Sequence, residues 1–87
     1  MRVVVVTKEG RDYSRGVGEW LREFERRTGR ELEVLDPDGG EGAGFARAYD
    51  VVEYPTIVAL SDDGKVLEVW KGAELPTINE VSYYTSS

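Results

Sequence analysis

Apolar and polar positions along this chain switch between a strand-like and a helix-like spacing, and the switches mark out its elements. Val3-Val4-Val5-Val6 is an unbroken β-branched run, the pattern of a strand covered on both faces inside a mixed or parallel sheet. The polar segment Thr7 to Tyr13 (TKEGRDY) reads as a loop. From Ser14 to Thr28, Val17, Trp20, Leu21 and Phe24 recur at three- and four-residue spacings, with Glu19, Arg22, Glu23, Arg26 and Arg27 opposite them. That spacing predicts an amphipathic helix. Ser14 or Asp12 is expected to cap its start, and Gly29 is a natural left-handed stop.

Leu32, Val34 and Leu35 predict a short strand, ended by the turn sequence Asp36-Pro37-Asp38-Gly39. Glu41 to Tyr49 reads as a small-residue helix anchored by Phe45, Ala46 and Tyr49, with Gly42 and Gly44 weakening it. Thr56–Leu60, the turn Ser61-Asp62-Asp63-Gly64 and Lys65–Trp70 form a hairpin. Strict alternation from Val66 and Glu68 places Trp70 on their side of the sheet, where it would mark an exposed contact surface. Thr77-Ile78-Asn79-Glu80 has the form of a capping box, so a last helix is expected to run to about Tyr84, with Tyr83 and Tyr84 as packing residues. The order is β-α-β-α-β-β-α. A right-handed crossover makes the first two strands parallel, the hairpin adds antiparallel partners, and helices cover both faces of a central mixed four-stranded sheet.

Length and charge narrow this picture. Eighty-seven residues suit a single domain spanning 1–87 with one buried core region. The apolar run at Val3–Val6 is far shorter than the roughly 18 residues of a membrane span, and no signal-peptide pattern surrounds it. A cytoplasmic, monomeric protein without membrane association is the expectation. Residues 1–30 hold eight Lys/Arg and five Asp/Glu, a sum of +3, whereas residues 31–87 hold three and twelve, a sum of −9. The acidic excess argues against nucleic-acid binding, which depends on neutralising phosphates.

Composition removes whole classes of chemistry. The chain has neither cysteine nor histidine. Disulfide exchange, thiolate nucleophiles and iron–sulfur ligation are therefore out of reach. So are a Ser–His–Asp arrangement and a histidine-based metal site. Asp12 beside Arg11 reads as an exposed ion pair and not as a catalytic acid. No enzyme activity, cofactor or metal is expected.

Two segments carry a family resemblance. Thr7-Lys8-Glu9-Gly10-Arg11-Asp12-Tyr13-Ser14, lying between a buried strand and a helix, resembles the glutaredoxin stretch T-K-x-G-C-P-Y-C with Arg11 and Ser14 in place of the cysteines. Tyr54-Pro55-Thr56, followed by a strand, is similar to the cis-proline loop of the thioredoxin-like superfamily. The resemblance implies an α/β thioredoxin-like fold of glutaredoxin size. It also implies a cis bond before Pro55 and a ligand groove in which the backbone of Tyr54 pairs with an extended peptide or glutathione. Lys8 matches a glutathione-binding lysine, and Lys71-Gly72-Ala73-Glu74 partly matches a further turn of that site.

Carried over residue by residue, the groove comprises Lys8, Arg11, Tyr13, Ser14, Tyr54, Pro55, Thr56 and Gly72. The free amides at the helix start, with Lys8, Arg11 and Arg15 nearby, would favour an anion. The function expected is a redox-inactive thioredoxin/glutaredoxin-like binding or interaction module. Its ligand would be a peptide, a glutathione-like or other small anion, or a protein partner. The alternatives are an oxidoreductase scaffold whose two cysteines are replaced by Arg11 and Ser14, by nature or by engineering, and a designed sequence without a biological role.

Overall fold

In the computed structural model, which describes residues 1–85, the valine run lies in strand β1 (Arg2–Val6) near the middle of the sheet. Its four valines are at most 5% exposed, which is the burial that an unbroken apolar strand requires. The remaining elements are α1 (Ser14–Thr28), β2 (Glu33–Leu35), α2 (Gly40–Ala48), β3 (Thr56–Leu60), β4 (Val66–Lys71) and α3 (Ile78–Ser82). The sheet order is β2-β1-β3-β4, with β1 parallel to β2 and the other two pairings antiparallel. The expected mixed four-stranded α/β architecture is the one observed.

Because alternate residues of a strand face opposite sides, the valines split between two apolar clusters. Val3 and Val5 join Val17 and Phe24 of α1, Ile57 and Ala59 of β3, and Ile78 and Val81 of α3. Val4 and Val6 join Leu35, Val58, Leu60 and the α2 residues Phe45 and Ala46 on the other side. Helices α1 and α3 thus cover one face, and α2 alone covers the other. The short α2 leaves part of its face open toward β4.

Helix ends obey local chemistry with one exception. Gly29 stops α1 at φ 72°, and its N–H donates to the Glu25 carbonyl. Thr77 and Glu80 form the full capping box of α3, the Thr77 hydroxyl accepting from the Glu80 N–H and the Glu80 carboxylate from the Thr77 N–H. Helix α3 ends at Ser82 instead of Tyr84; Tyr84 still packs on the core, and Tyr83 is 69% exposed. The exception is the start of α1: its N-cap is Tyr13 and not the expected Ser14 or Asp12, and no side chain caps it, as none caps the Gly39 start of α2. The Ser14 hydroxyl bonds to the preceding loop instead.

Strand β4 departs from simple alternation. Leu60 pairs with Val66 but Ala59 pairs with Glu68, so Leu67 is an extra residue opposite β3. This bulge reverses the facing of the residues after it. Val69 therefore packs against the α2-side cluster, and Trp70 packs on the opposite, α1-side cluster with its ring 5.5 Å from Tyr84, edge to face. Trp70 is half-buried and does not form the exposed patch that alternation predicted.

The capping box makes α3 sensitive to acid. Hydrogen bonds from the Thr77 backbone, then from its hydroxyl, hold the Glu80 carboxyl below its ordinary value of 4.5. A carboxylate favoured in the folded state adds stability above its unfolded pKa, and that stability is lost as pH falls through the lower folded value. Stability is expected to decline below about pH 5, and Glu80→Gln should flatten that decline; urea melts of both proteins across the acid range measure it. An equal acid slope in the two would show that the cap does not titrate.

Candidate functional site

The site is built where four connections meet at one end of the sheet. After β1, the loop from Thr7 folds back so that the Ser14 hydroxyl donates to the Lys8 carbonyl at 2.6 Å and accepts from the Arg11 N–H at 2.9 Å. The Arg11 carbonyl in turn accepts from the Ser14 N–H at 3.0 Å. Ser14 is a clamp that ties the loop to the first turn of α1, and both hydrogen-bonding functions of its hydroxyl are taken. Gly10 allows this tight return with φ 70°.

Lys8 is directed across the loop cluster. Its ammonium lies 5.3 Å from the centre of the Tyr54 ring and 3.6 Å from the Asp38 carboxylate, in the turn that enters α2. A cation over an aromatic face and beside an acid is already partly neutralised, so it attracts a free anion less than the sequence suggests. The Arg11 and Arg15 side chains are exposed and make no ion pair among the described residues.

The segment before β3 supplies the centre of the site. The Tyr54–Pro55 bond is cis. The Pro55 carbonyl accepts from the Gly72 N–H at 2.8 Å, which continues the β3–β4 ladder by one rung. Gly72 has φ 93°, in the left-handed region. The Thr56 hydroxyl donates to the Glu53 carbonyl at 2.5 Å, and Thr56 is only 2% exposed. Thr56 thus braces the bend from inside. Tyr54 packs its ring against the α2-side cluster, whereas neither its backbone N–H nor its C=O has a hydrogen-bond partner among the described residues.

The structure therefore joins the eight sequence-selected residues unevenly. Lys8 meets Tyr54 directly, Ser14 binds Lys8 and Arg11, and Pro55 binds Gly72. Tyr13 is half-buried and packs against the α1-side core. Sequence reasoning missed Asp38, which lies in a turn separated from Lys8 by all of α1 and β2. It also missed Thr7, whose Oγ1 is buried without a hydrogen-bond partner; such an atom costs about 1–3 kcal/mol. Among the described residues no group of acidic side chains has the arrangement to hold a metal ion. No helix among the described residues is long and apolar enough to cross a membrane.

No protein-family model matches the chain, and no curated protein matches it. Among solved structures, thioredoxin 1 from the thermophilic eubacterium Thermosipho africanus aligns over 98% of this chain and 90% of its own, at TM-score 0.68 and 14% identity. The chain has a thioredoxin-like fold. An uncharacterised thioredoxin-like protein from Clostridium perfringens aligns over 98% of this chain and 68% of its own, at TM-score 0.72 and 17% identity. Mitochondrial thioredoxin 3 from Saccharomyces cerevisiae aligns over 93% and 72%, at 0.67 and 18%. At these identities the likeness is one of fold. Within this thioredoxin-like fold the loop after β1, the start of α1 and the Tyr54–Pro55 bend share one end of the sheet, and no cysteine is present there or elsewhere in the chain.

Proposed function

We propose that this chain is a non-catalytic thioredoxin-like module that docks an extended peptide segment of a partner protein along the Tyr54 backbone. The observation that carries this reading is the unpaired N–H and C=O of Tyr54, set beside its half-buried ring and the Lys8 ammonium. A backbone donor and acceptor left open together on one residue fit the main-chain pairing of a bound strand, and flanking side chains then select its sequence. The residues that match the family's two cysteine positions support binding over chemistry: Arg11 has no nucleophilic atom, and the Ser14 hydroxyl is held by the loop itself.

The same geometry disfavours a small anion as the ligand. Lys8 is engaged by Asp38 and Tyr54, and the Ser14 hydroxyl is engaged by the loop. The solvated arginines at positions 11 and 15 and the uncapped amides at the start of α1 remain for it, and exposed groups of this kind bind weakly at physiological salt.

A random-peptide display selection on the full chain, followed by amide-shift mapping of the enriched peptides, tests the reading. The expected footprint is Val52–Tyr54, Lys8 and Gly72. A parallel titration with sulfate is expected to produce no localised, saturable shifts. Saturable sulfate shifts confined to Lys8–Arg15 would instead establish the anion site. Failure to enrich peptides, or a footprint elsewhere, would overturn the docking reading.

A further inference from the structure

We infer that the peptide seats an aliphatic side chain in the groove between the Tyr49–Glu53 turn and β4, with a lysine or arginine two residues along, on the same face of the strand, meeting Asp50 and Glu53. This rests on the docking reading above and specifies its ligand.

The groove encloses about 250 Å³ and is walled on its apolar side by Val58, Val66 and Val69. It exists because α2 stops at Ala48 and the bulge in β4 turns Val66 and Val69 to the same side. Val66 is left 48% exposed, and Val52, at the other rim, 81%. The volume lies below the roughly 300–1,000 Å³ of small-molecule pockets. It suits a side chain or two of a larger ligand. Glu53, which lines the groove, immediately precedes Tyr54, so the groove lies beside the open Tyr54 backbone.

Charge identifies the second residue. Asp50 and Glu53 both line the groove, both are exposed, and neither makes an ion pair among the described residues. Lys71 lines it as well, so the rim sums to −1, within a stretch, residues 31–87, whose three Lys/Arg and twelve Asp/Glu sum to −9. A cationic side chain complements that field, and an anionic one is repelled. Asp50 is held at φ 56°, the one described non-glycine residue with positive φ. It is the left-handed residue that ends α2, where the Val51 N–H donates to the Ala46 carbonyl at 2.8 Å, a conformation that aspartate adopts more readily than most side chains.

The route of entry is set by the edge of the sheet. Strand β4 is that edge, but its bulge and its own Glu68, whose carboxylate accepts from the Val69 N–H at 3.0 Å, blunt it against an added strand. The open main-chain groups lie at Tyr54 instead.

The test uses the peptides enriched by the display selection. They are expected to share an aliphatic residue two positions from a Lys or Arg. Val66→Trp, which fills the groove from an exposed position, should weaken them about tenfold or more, the equivalent of one aliphatic side chain expelled to water. Glu53→Lys should shift a repeated selection toward Asp and Glu. Asp50→Gly should weaken binding without lowering the melting temperature, which separates loss of the rim charge from loss of fold. Peptides that footprint on Tyr54 but lack the paired aliphatic and basic residues, and that ignore Val66→Trp, would overturn this inference and leave the docking reading standing. No enriched peptide, or a footprint away from Tyr54, would overturn both.

Discussion

Gly42→Ala is expected to lower the free energy of unfolding by about 3 kcal/mol or more, read as a shifted urea midpoint with circular dichroism. A Cβ at this position would lie 1.8 Å from the Asp36 carbonyl oxygen and 2.5 Å from its carbon. Both are backbone atoms, so no side chain can swing aside. The turn cannot yield easily either. The Asp36 carbonyl accepts from the Gly39 N–H at 3.0 Å, the Asp36 carboxylate accepts from the Asp38 N–H at 2.8 Å, and the Leu35 carbonyl accepts from the Thr7 N–H at 3.0 Å. On the other side, Phe45 and Ala46 fix α2 to the sheet at 8% exposure each. Relief requires α2 to lift from its face, which uncovers the second cluster. Gly44→Ala is the matched control. Its Cβ would meet nothing within 4 Å, so it should stabilise the helix by about 0.5–1 kcal/mol through reduced backbone freedom. Equal stability of the two variants would mean that α2 does not approach the Asp36 turn this closely.

Gly42 and Gly44 look alike in the chain, each a helix-weakening glycine; only the tertiary approach of the Asp36 turn separates them. Features encoded by neighbours in sequence were legible. The valine run specified a buried central strand, Gly29 specified the end of α1, and Thr77 with Glu80 specified the start of α3. Features that depend on a distant partner were not. The bulge that moves Trp70 to the α1 side exists only in the pairing of β4 with β3. The Ser14 hydroxyl looked like a helix cap, but the return of the Lys8 loop offered it a carbonyl and an amide at better geometry. Likewise, Lys8 was selected from the loop before the first helix, yet its surroundings are set by Asp38 and Tyr54, brought in by the segments before α2 and β3. The apolar groove was invisible because it arises from the shortness of one helix measured against the width of the sheet.

Phe24→Ala is expected to cost about 3–5 kcal/mol, a large share of the roughly 5–15 kcal/mol by which domains are stable. Phe24 is fully buried, 0% exposed, and stacks on Trp20 with ring centres 5.4 Å apart. Its neighbours in the cluster are mainly β-branched: Val3, Val5, Val17, Ile57, Ile78 and Val81. Such side chains are stiff at χ1, and those of β1 and β3 are held by two ladders each, so the void refills poorly. Trp20 cannot drop into it either without giving up the hydrogen bond from its indole N–H to the Pro76 carbonyl at 2.9 Å, the tie that holds the segment leading into α3. Phe24→Leu, which leaves a smaller void, should lose about 1–2 kcal/mol. A loss below about 1 kcal/mol for Phe24→Ala would show that the cluster can collapse around the missing ring. The two faces of the sheet then give separable outcomes. Phe24 belongs to the α1 side, whereas Tyr54 and the groove belong to the α2 side. Well below its midpoint of unfolding, Phe24→Ala should still bind the peptides selected on the unmodified chain with unchanged affinity. Gly42→Ala, which displaces α2 and the turn carrying Asp38, should lose that binding even in the fraction that remains folded.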